Sequence, residues 1–377
     1  MKILISRSSP GTIGGAELSA FDQAVVLKEL GHDVVLATNL RMIKKRCRQA
    51  GIKTIWFPWI NRGPGKLRYV IFFLLLPWLY PLALLSALRI RPDIINPHSR
   101  EDQMAFTHTK PLHRKPVVWK SPGDLRTQLE SGGGSFKRVL QKIHMHAISK
   151  ADHIYLLNSD DQEHLHHIVG KAHMPETSVI PASILYRYYD RSAKPIAKPA
   201  HKLIVGTLAR AEQDKGLQYR IKAIQQLGCG SDVEYRLVND GAYKPTLRSM
   251  ANGLPCISFY PYSEDISANL RSFDILVHPA DVEAWGRIVK EAMYFGLPII
   301  GTNVGGIKRQ VEDGKTGLLF EPGDVETLAK LLKKLIASKQ LRMRLGAAAQ
   351  KKAEADGDFA RIVAKHIMPL YERYAAD

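Results

Sequence analysis

Cysteine is scarce in this chain of 377 residues, with three at positions 47, 229 and 256. No two stand as a C-x-x-C pair and they form no even-numbered set, so neither a zinc cage nor a disulfide framework is expected, and a reducing compartment fits. Low-complexity tracts are also missing. An apolar content of 45% against 24% charged residues describes a soluble globular protein. The opening "MKILISRSS" lacks the apolar core of a signal peptide and reads as a first strand. The G-x-G-x-x-G fingerprint is absent from the glycine-rich "SSPGTIGGAELSA", and Asn39 stands where an acidic residue would close the second strand, which excludes the usual dinucleotide site. Negative charge is in short supply, with 36 Asp and Glu against 54 Lys and Arg, a net charge of +18. Such a surface attracts polyanions: nucleic acid, anionic lipid or phosphorylated ligands. No nucleic-acid module or aromatic-interleaved basic stripe accompanies the charge, so no nucleic-acid partner is expected.

Part of the charge is concentrated in "RMIKKRCRQAGIK" (Arg41 to Lys53), and beyond it lies "YVIFFLLLPWLYPLALLSAL" (Tyr69 to Leu88), 20 residues without a charge. The run is long enough to cross a bilayer, but Pro77 and Pro81 should break it near its middle. It is expected to form a helix pair or a bent helix packed on a sheet, or else an interfacial patch, with residues 41–88 meeting an anionic membrane surface.

Short apolar strands alternate with amphipathic helices from end to end, the pattern of parallel sheets covered on both faces. Strands are expected at 2–6, 33–38, 53–58, 93–98, 116–120, 153–159 and 177–182, then at 202–209, 233–240, 256–262, 274–280, 298–303 and 316–322. Between the two series, "SILYRYYDRSAKPIAKPAHK" loses periodicity and collects prolines and basic residues, as a linker should. The chain thus reads as α/β, with two Rossmann-like domains at 1–185 and 202–357 joined by a linker at 186–201, and a last helix at about 358–377 packing back on the first domain.

Ligands bind beyond the carboxyl ends of such strands. After the first strand, Gly11, Gly14 and Gly15 allow close backbone approach, and a helix N-terminus follows. In "GTLARAEQDKGLQ", Arg210 and Lys215 are spaced to clamp a diphosphate. In "EAWGRIVKEAMYFGLPIIG", Glu283 lies in a loop with Trp285 and Gly286, a helix begins near Arg287, and Glu291 lies in its second turn. The N–H groups of Gly286, Arg287, Ile288 and Val289 offer an anion seat between two hydroxyl acceptors. A diphosphate flanked by two polyols, the layout of a nucleotide sugar, would satisfy it. "TNVGGIKRQVEDGKTGLLF" repeats the strand-glycine-helix arrangement at Gly305 and Gly306 and should form the other wall of a crevice. Taken alone, each feature is also what an ordinary solvated loop carries.

Together, "EAWGRIVKEAMYFGLPIIGTNVGGIKRQVEDGKTGLLFEPGD", "GGAE" near the N-terminus, Arg210 with Lys215 and Gly216, and "VNDG" at 238–241 resemble, in order and along nearly the whole chain, the retaining glycosyltransferases of family 4 with their E-x7-E signature. The resemblance implies the GT-B fold, with two parallel sheets facing an interdomain cleft. It implies that Glu283 contacts the transferred sugar and Glu291 the nucleotide ribose, and that Arg210 and Lys215 neutralise the diphosphate, aided by N–H groups near Arg287 and by the Gly14–Gly15 loop. Asp240 belongs to the "VNDG" match, and the base would rest near Tyr260 and Tyr262. The donor would be a nucleotide sugar, a UDP-sugar foremost, and no metal or other cofactor would be needed. The acceptor would be a lipid-linked or saccharide chain of a bacterial surface glycan such as lipopolysaccharide, met at the inner face of the cytoplasmic membrane.

The chain departs from the family where a histidine often follows the strand matching "PVVWK": the loop here is "SPGD", Ser121 to Asp124, and His98 in "NPHSR" is the candidate to replace it. Ala209 stands where the family has Gly, and "IPAS" where it has "IPNG". The run "HLHHIVGKAH" (164–173) has no carboxylate spaced to complete a metal site and reads as a solvated basic face. Alternatives are a non-catalytic nucleotide-sugar-binding protein or a same-fold epimerase.

Overall fold

The computed structural model describes residues 1–10, 14–60, 67–121, 135–170, 174–196, 202–263 and 265–376. Gly11, His173, residues 122–124 of the "SPGD" loop and residues 197–201 of the expected linker lie outside them. The chain divides into two compact units, Met1–Ala182 with Phe359–Asp377, and Ser183–Asp358.

In the first unit, β1 (Lys2–Ser6), β2 (Asp33–Ala37), β3 (Lys53–Ile55) and β4 (Ile94–Pro97) form a parallel sheet in the order 3-2-1-4. β5 (Val118–Lys120), β6 (His153–Leu156) and β7 (Glu176–Val179) form a second parallel set. A bridge between Ile95 and Val117 and a bond from Ile95 N to Pro116 O at 3.0 Å join the two sets. The strands are near-continuous apolar runs because helices cover both faces: Ile3, Leu4 and Ile5 are fully buried. The order reverses between β1 and β4, so their carboxyl-end loops open beside each other. The C-terminal helix Met368–Ala376 is tied to this unit through Tyr371, whose hydroxyl accepts from Gln23 Nε2 at 2.8 Å.

The second unit has β8 (Leu203–Leu208), β9 (Val233–Val238), β10 (Ile257–Tyr260), β11 (Ile275–His278), β12 (Ile299–Thr302) and β13 (Leu318–Phe320), all parallel, in the order 10-9-8-11-12-13. Its reversal lies between β8 and β11. Some of its helices start at side-chain caps: Asp324 accepts from Thr327 N at 2.9 Å ahead of the helix Val325–Ala337.

Each of the expected strands forms, usually shorter by a residue or more at an end. Three expectations are corrected. The apolar run is one helix, Leu67–Ile90, with Pro77 and Pro81 inside it. Phe72, Leu76, Leu79, Ala83 and Ala87 bury one face in the unit's core, and that packing holds the helix through two positions where proline removes a backbone donor. Cys229 and Cys256 form a disulfide across 27 residues. Cys229 precedes β9 and Cys256 precedes its neighbour β10, so parallel pairing brings together residues that sequence spacing alone keeps apart; the compartment argument from cysteine usage loses that support. The start of the expected linker is part of the second unit, where Tyr186 stacks on Tyr294 with ring centroids 4.3 Å apart.

Candidate functional site

The loops that leave β8 and β11 meet at the sheet's reversal. After Leu208 the chain runs through Arg210 into a short turn at Gln213–Lys215 and then the helix Leu217–Leu227. Gly216 makes this turn with φ +65°, and a Cβ there would fall 1.7 Å from the carbonyl oxygen of Pro279 in the neighbouring loop. Asp281 N donates to Asp214 O at 2.8 Å, a second tie between the loops.

That approach brings Lys215 Nζ to 3.2 Å from Glu283 Oε2, and His278 Nε2, at the end of β11, also lies 3.2 Å from that oxygen. Gly286 N donates to the other carboxylate oxygen at 3.2 Å. Burial alone would raise the Glu283 carboxyl, but the Lys215 charge and the His278 hydrogen bond outweigh it and hold the group well below the usual range. Burial likewise works against the Lys215 ammonium, and Glu283 with Asp214 overcomes it, raising the lysine. A charged pair is therefore fixed at the switch point.

One helical turn further on, Glu291 Oε1 accepts from Tyr189 Oη at 2.6 Å and from Arg287 Nε at 2.9 Å, while Arg287 Nη2 donates to the same tyrosine hydroxyl at 2.9 Å. Tyr189 lies in the stretch read as linker, and no spacing signal in the sequence pointed to it. His278 was legible in principle, as a polar residue ending a strand beside the reversal.

The expected anion seat narrows. Of the N–H groups from Gly286 to Val289, the first donates to Glu283 and the last to Gly286 O at 2.9 Å. Ile288 is buried in the unit's core. The glycine pair at 305–306 does not form an opposite anion-binding wall: Gly306 N donates to Glu283 O at 3.0 Å, and Cβ atoms at 305 and 306 would lie 2.0 and 2.2 Å from the backbone of Glu283 and Trp285. Their role is close support of the Glu283 loop, completed by Gln310 Nε2, which donates to Trp285 O. The buried indole nitrogen of Trp285 has no hydrogen-bond partner among the described residues.

Arg210 is half exposed and paired with Glu212 at 3.0 Å, on the same loop as Lys215 but outside the Glu283 pair. Asp240 accepts from Lys244 Nζ at 2.7 Å and from Tyr262 N at 3.0 Å, which joins the ends of β9 and β10. The Tyr260 hydroxyl donates to Glu234 at 3.2 Å, with the Arg236 guanidinium 5.2 Å from its ring centre.

In the first unit, His98 is buried with Nε2 at 2.6 Å from Asn96 Oδ1, and burial, with Lys120 and Arg7 nearby, keeps its imidazole neutral. Arg7 donates to His98 O at 2.9 Å and to Glu17 Oε1 through Nε and Nη2 at 3.0 and 2.7 Å. Glu17 in turn accepts from Gly14 N at 2.8 Å at the start of the helix Gly15–Glu29. The Gly14–Gly15 loop and His98 thus share a support through Arg7, a residue the sequence reading did not single out. Asp102 is buried behind them, accepting from Ser8 N and Oγ at 3.1 and 2.7 Å.

Residues 189–352 match the family model for "Glycosyl transferases group 1". The chain is 31% identical over 157 residues to sulfoquinovosyl transferase SQD2 of Arabidopsis thaliana, covering 41% of this chain and 30% of that protein. It is 27% identical over 150 residues to the lipopolysaccharide core biosynthesis glycosyltransferase LpsE of Rhizobium meliloti, covering 39% and 43%. The chain therefore spans less than half the length of both of these relatives. Anabaena HepE, solved in complex with UDP-glucose, superposes with a TM-score of 0.80 at 22% identity, covering 99% of this chain and 100% of that one. The likeness shows the fold: α/β with parallel sheets, of the GT-B glycosyltransferase kind.

Proposed function

We propose that the chain is a glycosyltransferase that moves a sugar from a nucleotide-diphosphate donor, a UDP-sugar foremost, to a lipid-linked or glycan acceptor in bacterial surface-polysaccharide synthesis. The carrying observation is the Lys215–Glu283 pair at the β8/β11 reversal, with the start of the helix Arg287–Tyr294 between Glu283 and Glu291. The matched family segment, the UDP-glucose bound by HepE and the lipopolysaccharide role in the name of LpsE support the reading.

In this reading Lys215, with Arg210 on the same loop, meets the diphosphate, and the helix start adds its positive end as charge grows on the leaving phosphate. Fixed cations of this kind can do that work without a metal. Glu283, already held ionised, accepts from hydroxyls of the donor sugar, and Glu291 from the ribose. Attack of an acceptor hydroxyl on the face the nucleotide leaves would keep the anomeric configuration.

The test is a panel of UDP-sugars assayed for UDP release and product, with the anomer read by NMR. Lys215→Ala and Glu291→Ala should raise the donor KM at least tenfold, and Glu283→Ala should lower kcat more than it weakens UDP binding. Unchanged kinetics in all three would overturn the assignment. Saturable donor binding with no UDP release in any acceptor mixture would replace it with a binding protein.

A further inference from the structure

The helix Leu67–Ile90 is two-faced. Its inward face, Phe72, Leu76, Leu79, Ala83 and Ala87, belongs to the first unit's core. Its outward face is also apolar: Leu67, Val70, Leu74, Trp78, Leu85 and Leu88 are all exposed, Leu74 at 68% and Trp78 at 76%. These positions recur at the spacing of one helical stripe. At about 1.5 Å per residue the stripe is roughly 30 Å long. A water-facing helix surface would not ordinarily carry such a stripe.

The stripe continues onto a second element. Phe73 lies 6.0 Å ring to ring from Phe136 in the helix Ser135–Ile148, where Phe136 and Val139 are likewise exposed. Neither helix contains an acidic residue, and cations flank the apolar positions: Lys137, Arg138 and Lys142 on the second, Arg89 and Arg91 at the end of the first. An aromatic and aliphatic surface with a border of cations matches an anionic bilayer surface, with indole at head-group depth and lysine and arginine at the phosphates. A transmembrane span does not fit, because the inward face is committed to the protein core.

We infer that the exposed faces of Leu67–Ile90 and Ser135–Ile148 form one patch that docks the protein on anionic lipid bilayers, with Leu74 and Trp78 inserted and Lys137 and Arg138 on the head groups. This inference rests on the first unit alone and is independent of the sugar-transfer reading.

The test is co-sedimentation of the full chain with vesicles of phosphatidylcholine containing 30% phosphatidylglycerol, and with phosphatidylcholine alone, alongside sedimentation velocity without lipid. The proteins are wild type, Leu74→Ser with Trp78→Ser, and Lys137→Glu with Arg138→Glu; unchanged melting temperatures exclude misfolding. The wild type should bind anionic vesicles at least tenfold more tightly than neutral ones. The serine pair should weaken binding at least tenfold, and the glutamate pair should abolish the anionic preference. Brominated lipid should quench the wild type more than a Trp78→Phe variant. Failure of the wild type to sediment, or equal binding by the serine variant, would overturn the inference. So would a wild-type dimer that the serine pair dissociates in the absence of any vesicle binding, since the face would then belong to a second copy of the chain.

Discussion

Substituting Glu283 by Gln removes the charge that Lys215 and His278 share while keeping a carbonyl oxygen for Gly286 N. Removing one partner of a fully buried ion pair costs about 3–5 kcal/mol. Here the Lys215 and Glu283 side chains retain 15% and 18% of their exposure, so partial solvation brings the expected cost down to about 2 kcal/mol. For a unit of this size that is a fall in Tm of roughly 4–8 °C. The pH dependence has a definite sign. The folded carboxyl is held below its ordinary value, so its contribution is complete above the unfolded pKa of 4.5 and is lost as pH falls through the folded one. Wild type and variant should therefore differ at pH 7.5 and converge toward low pH. A second consequence tests the site itself: the amide leaves Lys215 with only the half-exposed Asp214, 3.6 Å away, as a carboxylate partner, so a diphosphate becomes its stronger counter-ion. Differential scanning fluorimetry with and without UDP should show a larger UDP-induced shift in Glu283→Gln than in wild type. A variant melting within about 1 °C of wild type at pH 7.5 would refute the energetic argument. A smaller UDP shift would refute the placement of the diphosphate at Lys215.

Two other outcomes can be measured directly. Burial pushes the Asp102 carboxyl up to about 6 against the opposing hydrogen bonds from Ser8 and Ser99, so the folded state holds the proton longer than the unfolded one; stability should fall by up to about 3 kcal/mol as pH rises from 4 to 6, and urea midpoints of Asp102→Asn should lack that slope. The Cys229–Cys256 disulfide closes a loop of 27 residues, for which chain entropy gives about 3–4 kcal/mol; reductant should lower the Tm of wild type but not of Cys256→Ser.

The strands were legible because a sheet buried on both faces writes unbroken apolar runs into the sequence; the strand order, and with it the reversal points, came only with the structure. Lys215 and Glu283 were legible because each lies in a loop beyond the carboxyl end of a strand, where parallel sheets bind ligands. What the sequence did not disclose was long-range and specific. Tyr189 is 102 residues from the Glu291 it caps, in a proline-rich and basic stretch that local pattern assigns to a linker. The glycines at 305 and 306 look the same in sequence whether they cradle an anion or allow a backbone to pass; only the 2.0 Å approach to Glu283 O decides for the second. The prolines at 77 and 81 show local propensity yielding to packing, since five buried side chains hold the helix that they would otherwise interrupt.

The separation of eight between Glu283 and Glu291 acquires a physical meaning from these contacts. Glu283 must precede the helix by a short loop, because its carboxylate reaches forward to Gly286 N while Lys215 and His278 hold its other oxygen. Glu291 must lie one turn inside the helix, because only there does it share a face with Arg287, four residues back, and with the Tyr189 hydroxyl. A shift of one residue in either would carry the carboxylate away from Lys215 or from the Tyr189 hydroxyl. The two carboxylates are also prepared differently. Glu283 is fixed by Lys215 from the β8 loop, by His278 at the end of β11 and by Gly286 N of its own loop, which the glycines at 305 and 306 support from behind, so it needs no rearrangement to meet a hydroxyl. Glu291 already has two donors on Oε1, so in the proposed reading a ribose would take Oε2 or displace one of them. The first carboxylate thus suits a contact that strengthens during reaction, and the second suits one that reports occupancy of the nucleotide site.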